Sequence, residues 1–399
     1  MSRIKNVEGE LKHSLRLLHP LLRIVGAWPY FVPTSVFATI LKWCLIFICY
    51  FLQLLLLIPS FVYIFGKETN SRKQLKLLAP HINGLAQLTK YTFLLYRMHD
   101  FKELMEAIRD DWLNATEENR KIFRENAEVG YKALLGLAII LYCSSFCSRM
   151  IIPLSKGRIV LPDNTTIRLL STQSHFAFFD AHRTPNYEII FTLQILGAFV
   201  IYTILCGTLG LTSLICIHMS SLLRILANMM IELSDQPDTS ENAVHKMIKD
   251  IVEYRTKVKK FSDKVDHIMS YISCLEIFNG SCITCMVGYC IIMEWENNDT
   301  FAVIVYVMFQ MVCMFIVFTI CYIGQLLINE SENVRQTSVT LNWHRFSSKK
   351  VRCLIPVMII SNYRIKITAA NIVEISLATF TDIMKASIGY LNVLRNSVE

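Results

Sequence analysis

The sequence predicts an all-α membrane protein with seven transmembrane helices, a cytoplasmic N-terminus and an extracellular C-terminus. Three observations lead to this prediction. Hydrophobic residues make up 53% of the 399 residues and charged residues only 18%, whereas soluble domains carry about 25% charged residues. The mean hydropathy is +0.40, and the apolar residues form long runs with charges between them. The positive charges are concentrated in alternate connections between these runs.

Seven segments are long and apolar enough to cross a bilayer, which requires roughly 20 mainly apolar residues. They cover residues 36–65, 76–97, 131–152, 188–218, 272–293, 300–328 and 368–395. The third, fifth and sixth are unambiguous spans. The second segment contains Pro80, His81, Asn83, Gln87 and Lys90. Because polar groups are costly at membrane depth, we expect them to face protein or water.

The orientation follows from the distribution of basic residues. An odd number of spans places the two termini on opposite sides of the membrane. Most of the 40 Lys and Arg residues lie in the N-terminal arm and in the second, fourth and sixth connections, which are therefore predicted to be cytoplasmic. Seven-helix G-protein-coupled receptors have the opposite orientation. The N-terminal arm lacks the continuous apolar stretch of a cleavable signal peptide, so the first span is expected to be the signal anchor.

Residues 1–35 are predicted to form a cytoplasmic amphipathic arm. Apolar residues at three- and four-residue spacing indicate one helix over residues 8–25: Leu11, Leu15, Leu18, Leu22 and Val25. The sequence Trp28-Pro29-Tyr30 then ends this helix at the membrane interface, where aromatic side chains act as anchors.

Two charged segments, 98–130 and 219–271, are predicted to be helices that continue the spans into the cytosol. The second carries an apolar stripe at helical spacing: Met247, Ile251, Tyr254, Val258, Phe261 and Val265. Such a stripe needs a partner, either within the chain or in another subunit. In the sixth connection, 329–367, Trp343 also indicates buried packing, and this connection is predicted to be a cytoplasmic anchor segment.

Motifs of enzyme chemistry do not occur in a suitable context in the sequence. We find no nucleophile elbow, phosphate-binding loop, zinc-protease motif or dinucleotide-binding glycine motif. The pair Cys282 and Cys285 lacks the second ligand pair of a zinc site, and His175, Asp180 and His182 match no standard metal motif. We therefore expect no catalytic residue, no metal and no cofactor. The net charge of +8 is spread between apolar runs, which argues against nucleic-acid binding.

The sequence Asn164-Thr165-Thr166 lies in the predicted outer connection 153–187 and is a candidate site for an N-linked glycan. The rest of this connection is expected to be a solvated loop that covers the outer mouth.

The seventh segment carries a polar stripe. At 100° per residue, its polar positions fall within an arc of ~100°: Asn371, Glu374, Thr381, Asp382, Lys385, Gly389, Asn392 and Asn396. A polar stripe along a span faces either a water-filled path or the polar side chains of neighbouring helices. The residues alone leave both explanations open.

Three sets of residues resemble motifs of the insect odorant receptor family, and the resemblance covers essentially the whole chain. The first set is Leu22-Arg23 with Gly26-Ala27-Trp28-Pro29. The second is Phe179-Asp180, the run from Pro185 to Phe191, and Gln194. The third comprises Trp343, Ser361, Ile367-Thr368-Ala369, Ser376-Leu377, Phe380, Lys385-Ala386-Ser387, Tyr390 and Leu394-Arg395. The chain departs from the family pattern at Val339, Arg364 and Ala370.

This resemblance implies an odorant-binding, tuning subunit of a heterotetrameric, non-selective cation channel that volatile ligands gate directly. The shared coreceptor is the expected partner, and the expected location is the plasma membrane of olfactory sensory neurons. The fourth connection lacks the coreceptor's long insertion, so the chain resembles a tuning subunit and not the coreceptor itself. The alternatives are a seven-helix G-protein-coupled-type chemoreceptor or a related gustatory receptor, although the gustatory end motif is missing.

The resemblance also divides the chain into four parts. Residues 1–35 form the arm, 36–328 the first six spans, 329–367 the anchor, and 368–399 the pore-lining seventh helix with a short outer tail. The expected pore residues are Lys385, Gly389, Asn392, Val393 and Asn396. Odorants are small and mainly apolar, so an apolar pocket with few polar groups is expected in the outer half. Its predicted residues are His81, Leu85, Tyr142, Phe146, Met150, Phe191, Gln194, Ile195, Tyr289 and Tyr306.

Overall fold

A computed structural model describes residues 2–29, 35–160, 166–235, 241–341, 352, 355–356, 358–359 and 361–398. These residues are almost entirely helical, which confirms the predicted all-α class. The helices are α1 Ser2–Ser14, α2 Leu18–Ile24, α3 Val36–Gly66, α4 Ser71–Tyr96, α5 Met98–Asn114, α6 Glu117–Phe146, α7 Ile152–Lys156, α8 Asn186–Asp235, α9 Glu241–Glu296, α10 Thr300–Thr340 and α11 Leu377–Val398. A π-helical turn, Cys147–Ile151, joins α6 to α7.

Two short antiparallel hairpins complete the described structure. Strands β1 Arg158–Val160 and β2 Thr166–Arg168 pair in the predicted outer connection, where the sequence had indicated only a loop. Strands β3 Thr368–Ala369 and β4 Val373–Glu374 pair directly before α11.

In the described part of the chain, five helical segments are long and apolar enough to cross a membrane: α3, α6 together with the turn and short helix that follow it, α8, α9 and α10. They contain five of the seven predicted spans. The other two predicted spans fall on α4 and α11, which carry too many polar residues to be identified by length and apolar composition alone. The chain is thus a multi-pass membrane protein, and the count of seven spans stays a prediction.

The longest helices extend well beyond a bilayer. Helices α8, α9 and α10 have 50, 56 and 41 residues. At 1.5 Å per residue they are about 75, 84 and 62 Å long, about two to three times the ~30 Å hydrocarbon core. The predicted helical extensions are therefore present as helices. Residues 98–130 contain a break at Ala115 and Thr116, where α5 ends and the Thr116 side chain caps α6.

Helix α8 lies at the centre of the fold and packs against α3, α4, α6, α9 and α10. Small residues allow this close packing, as is usual between membrane helices. A Cβ on Gly197 would stand 2.9 Å from the carbonyl oxygen of Leu52 on α3. A Cβ on Gly210 would meet the side chains of Leu134 and Leu18 at 2.7 and 3.0 Å.

The N-terminal arm forms two helices, so the prediction of one helix over residues 8–25 is wrong in its middle. Helix α1 ends at Ser14, and α2 begins at Leu18, two residues before Pro20. Proline has no backbone N–H and fits only the first turn of a helix, so the helix must restart there. The arm is fixed to the bundle by the Tyr91 hydroxyl, which donates a 2.7 Å hydrogen bond to the Val25 carbonyl.

The stripe of the fourth connection packs inside the chain. Ile251, Val258 and Val265 are no more than 1% exposed and belong to the main hydrophobic core. Their partner is therefore this subunit itself, which was one of the two possibilities that the sequence left open. Trp343 lies outside the described residues.

The segment before α11 corrects the predicted start of the seventh span. Ala370 and Asn371 have φ angles of 52° and 58°, and the chain reverses there to form the β3–β4 hairpin. Helix α11 begins only at Leu377, where the Ser376 side chain accepts a 3.3 Å hydrogen bond from the Thr379 amide. Asn371 and Glu374 therefore do not belong to the polar face of the helix.

Candidate ligand pocket and pore-lining helix

Gln194 joins helix α8 to the outer segment, which is the predicted outer connection 153–187 that precedes the helix. Its Oε1 accepts a 3.0 Å hydrogen bond from the Thr172 amide, and its Nε2 donates 3.0 Å and 3.1 Å bonds to the Thr172 carbonyl and the Ser174 hydroxyl. The side chain is fully buried. Its polar atoms are thus engaged with the protein, which makes Gln194 an anchor of the outer segment in this structure.

Phe191 packs on a small apolar cluster that residues of α8 form with residues of the outer segment. Its ring stacks on Tyr187 with 5.6 Å between centroids, and the cluster includes Leu170 and Ile190. The Tyr187 hydroxyl donates a 3.0 Å bond to the Leu169 carbonyl. Phe191 and Gln194 therefore both meet the outer segment, one by apolar contact and the other by hydrogen bonds.

Tyr142 on α6 contacts α8. Its hydroxyl lies 2.7 Å from the Thr203 hydroxyl, and its ring lies 5.4 Å from the Phe199 ring. Phe146, one turn further along α6, is 54% exposed and points away from the chain. Met150 lies in the π-helical turn and is half-buried.

His81 on α4 is buried and lies 5.9 Å from the Phe61 ring of α3. Among the residues that the structure describes, none bonds to its Nδ1 atom. Leu85, one turn further along α4, is 46% exposed. Ile195 on α8 is half-buried.

The two tyrosines predicted on α9 and α10 lie in the bundle. Tyr289 is buried, and Tyr306 packs on a cluster that contains Ile283, Val287 and Cys313. The ten predicted ligand residues are thus spread over several parts of the bundle. Phe191 and Gln194 meet the outer segment, Tyr142 contacts α8, His81 lies against α3, and Tyr289 and Tyr306 lie on α9 and α10. Met150 and Ile195 are half-buried, and Leu85 and Phe146 face outward. The role of these ten residues in binding stays a prediction.

Two cavities in the described structure lie elsewhere. One cavity, of about 40 Å³, lies between α1, α2, α5, α6 and α8. Trp112, Phe123 and His218 are among the residues that line it. The other, of about 10 Å³, lies between α8, α10 and the hairpin segment, beside Gly324 and Ile375. Neither cavity is lined by a predicted ligand residue.

A buried charged group borders the larger cavity. The Asp111 carboxylate accepts a 3.0 Å hydrogen bond from His218 Nε2 and a bond from the Lys257 ammonium. Burial raises the pKa of Asp111, but the hydrogen bonds and charges of His218 and Lys257 outweigh burial and leave it below its ordinary value. Asp111 is absent from the residues predicted from sequence; the signal that could have identified it is its position in the apolar stripe of α5, between Ile108 and Trp112.

Helix α11 presents most of its predicted pore residues away from the chain. Lys385, Gly389, Asn392 and Val393 are exposed, and Val393 is 64% exposed. Ile383 and Ser387 lie on the buried side of the helix. The Asn396 side chain and Asn164 lie outside the described residues.

The hairpin before α11 is docked on α9 and α10. The Asp266 carboxylate accepts hydrogen bonds of 2.9 and 3.0 Å from the amide and hydroxyl of Thr368. The Leu377 amide donates a 3.3 Å bond to Gln325 Oε1, and the Ile365 amide donates a 2.8 Å bond to the Ser331 hydroxyl. These contacts join the last helix to the two helices before it.

Comparisons with known proteins identify the fold and the family. Residues 70–388 match the sequence model of a family described as "7tm Odorant receptor". Odorant receptor 49a of Drosophila melanogaster is 22% identical over 224 residues, which are 55% of this chain and 55% of that protein. Odorant receptor 85b of the same organism is 23% identical over 212 residues, or 52% of each chain. The chain therefore matches about half the length of these curated relatives.

Solved structures share the fold. One is the insect olfactory receptor OR5 from Machilis hrabei, solved in complex with eugenol. Its superposition on this chain covers 98% of this chain and 100% of the receptor chain, with a TM-score of 0.75 and 14% sequence identity. A second structure of this receptor covers 96% of this chain and 98% of its own, with a TM-score of 0.74 and 15% identity.

The match over residues 70–388 confirms the resemblance to the odorant receptor family, and it includes the fourth-span motif and most of the C-terminal motif. It also confirms the prediction that the chain is not an enzyme, since the members of this family are receptors. The chain belongs to the 7tm odorant receptor family.

Proposed function

We propose that the chain is the odorant-binding subunit of a ligand-gated, non-selective cation channel formed with the shared coreceptor as a heterotetramer. One observation carries this proposal. Lys385, Gly389 and Asn392 lie on the exposed side of α11, away from the rest of the chain. Because polar groups of a span face protein or water, a neighbouring subunit or a water-filled path must cover this side.

The proposed topology has seven spans, formed by α3, α4, α6, α8, α9, α10 and α11, with the N-terminus in the cytosol. The apolar lengths of five helices support it, and so does the burial of polar residues of α4 inside the bundle. A glycan on Asn164 and a location in the plasma membrane of olfactory sensory neurons complete this proposal.

The proposed ligands are volatile small molecules that bind in the outer half of the bundle. The solved Machilis receptor was determined with eugenol, a small aromatic molecule. In this chain, Tyr142, Tyr289 and Tyr306 supply aromatic surface with few polar atoms on α6, α9 and α10. Such surfaces are typical of sites for small apolar ligands.

Whole-cell recording tests this function directly. The chain is expressed with and without the coreceptor, and a panel of volatile alcohols, esters, ketones and phenols that includes eugenol is applied. We expect cation currents for some volatiles only when both chains are present. A chain that reaches the surface together with the coreceptor but passes no current with any volatile would contradict the proposal.

An epitope tag at Met1 separates this proposal from a G-protein-coupled receptor. We expect antibody to label the tag only after the cells are permeabilised, whereas a tag at the C-terminus should be labelled on intact cells. Labelling of the Met1 tag on intact cells would show the opposite topology.

A further inference from the structure

Helix α4 presents polar side chains to α9 at intervals of seven residues. The positions are Lys76, Asn83, Lys90 and, directly after the helix, Arg97. Their partners on α9 are, in the same order, Glu294, Asn279, Glu276 and His267. Positions seven apart lie on one face of a helix that packs along another. Their partners on α9 are 15, 3 and 9 positions apart, and the four pairs form a polar seam between the two antiparallel helices.

The pair formed by Lys90 and Glu276 is the most buried part of the polar seam. The Lys90 ammonium bonds to Glu276 Oε1, and the two side chains are 0% and 5% exposed. Seven positions before Lys90 on α4, Asn83 Oδ1 accepts hydrogen bonds of 3.3 and 3.2 Å from the side-chain amides of Asn279 and Gln87.

The pair of Lys76 and Glu294 ends the seam near the outer side and is more accessible. Its side chains are 21% and 12% exposed. Lys76 and Lys90 lie 14 positions apart on α4, which corresponds to about 21 Å along the helix axis. The buried pair of Lys90 and Glu276 therefore lies deep within the predicted second span.

Stability alone gives a poor reason for a buried ion pair. The cost of removing two charges from water offsets much of their attraction, and well-packed apolar replacements are often equally stable. The best attested benefit of a buried polar group between helices is that it fixes their register. The polar seam fits this role, because a helix shifted along it would separate all four pairs at once.

We propose that Lys90 and Glu276 are a positioning pair that fixes the register of α4 on α9 and that ligand gating changes this register. The proposal rests on the proposed channel function. Asn279 Oδ1, one turn along α9 from Glu276, accepts no hydrogen bond from the described part of the chain. It offers the Lys90 ammonium a second acceptor if α4 moves by one helical turn, a kind of shift known from allosteric proteins.

The first experiment measures the coupling within the pair and needs no ligand. Lys90→Met, Glu276→Met and the double variant are compared with Lys76→Met, which removes a charge from the less buried outer pair. We expect each single variant of the buried pair to lower the melting temperature of the detergent-solubilised chain and its surface amount, since one buried charge stays unpaired. The double variant should recover both, and Lys76→Met should change them little. Single variants that behave like Lys76→Met would overturn the proposal.

The second experiment separates positioning from packing. The double variant is recorded with the coreceptor at a surface amount matched to the wild type. We expect the ligand-free current, or the concentration of eugenol or another active volatile that gives half the maximal current, to change by about fivefold or more, the usual lower range of coupling between sites. The reversed pair, Lys90→Glu with Glu276→Lys, should restore part of the wild-type behaviour.

Unchanged currents in the double variant would reduce the pair to a packing element and refute its role in gating. This outcome differs from failure of the channel proposal. In that case the wild-type chain itself would pass no current with any volatile, while the stability coupling between Lys90 and Glu276 would persist.

Discussion

A Cβ atom on Gly324 would stand 2.2 Å from the carbonyl oxygen of Ile375. The segment that leads into α11 therefore lies directly on the backbone of α10. The Gln325 side chain, next to Gly324, also accepts the hydrogen bond from the Leu377 amide at the start of α11. Helix α10 and the proposed pore helix are thus joined by backbone contact, which leaves no room for a side chain at position 324.

Gly324→Ala is expected to destabilise the chain. The added methyl group meets a backbone oxygen, so the hairpin segment or α10 must move, and overpacking of this kind costs roughly 1–3 kcal/mol. We expect a lower melting temperature of the detergent-solubilised chain and less protein at the cell surface. Gly136→Ala on α6 is the control, because a Cβ there has nothing within 4 Å. Equal melting temperatures for the two variants would contradict the close contact.

Much of the helical fold follows from local sequence, whereas the start of the last helix does not. Long apolar runs predict α3, α8 and α10, because only helices satisfy the backbone of such runs in lipid. Composition alone predicts that residues 368–376 form the first turns of the seventh span. Their hairpin depends on bonds from Thr368 to Asp266, a residue 102 positions away, and no local pattern contains this information.

The candidate ligand residues illustrate the same limit. Sequence identifies an apolar outer half with few polar groups, and it selects Gln194 and Tyr142 as polar members. It does not indicate which polar atoms are already occupied. The structure shows that Gln194 is engaged by Thr172 and Ser174, and that Tyr142 is engaged by Thr203.

Gln194→Leu is expected to loosen the outer segment. Leucine has nearly the shape of glutamine but leaves the amide and carbonyl of Thr172 without their partner, and unpaired buried groups cost about 1–3 kcal/mol each. Because the change acts through the segment, all active odorants should lose sensitivity together in dose–response recordings. Gln194→Glu keeps an acceptor for the Thr172 amide but places a carboxylate beside the Thr172 carbonyl in a buried site, so it should lower sensitivity as well. A changed odorant ranking would instead indicate direct contact with ligand.

Phe191→Leu tests the predicted pocket on the same helix. One misfitting methylene group in an apolar pocket costs about 1–3 kcal/mol, so loss of the ring should weaken some odorants more than others. We expect a reordered ranking in recordings with the volatile panel. Phe146→Leu is the comparison, since Phe146 is 54% exposed in the single chain. Equal scaling of all currents by Phe191→Leu would indicate an effect on expression or gating.

Asp111→Asn is expected to remove a pH-dependent contribution to stability. The pKa of Asp111 lies below its ordinary value of 3.8, so the charged form stabilises the fold above that pH. This contribution disappears as the pH falls through the lowered pKa. At neutral pH the variant should lose about 2 kcal/mol, the usual value for a hydrogen bond to a charged group.

Melting temperatures of the detergent-solubilised chain between neutral and acidic pH measure this effect. The difference between wild type and Asp111→Asn should be constant near neutrality and shrink in acid, below the ordinary pKa of 3.8. Asp110→Asn removes the same charge from an exposed neighbour and should change little. A difference that did not depend on pH would exclude the carboxylate as its source.

Val393 is expected to form part of the closed gate of the proposed channel. The family resemblance makes Val393 one of the expected pore residues, and its apolar side chain is 64% exposed on the side of α11 that faces away from the chain. A ring of apolar side chains closes a pore because water withdraws from it. Val393→Ser should therefore keep water in the constriction and raise the ligand-free current, whereas Val393→Ile should not. Because the coreceptor supplies the other subunits of the ring, the increase should be partial. Wild-type leak, cation permeability ratios and block in well-expressed Val393→Ser channels would show that α11 does not line the pore.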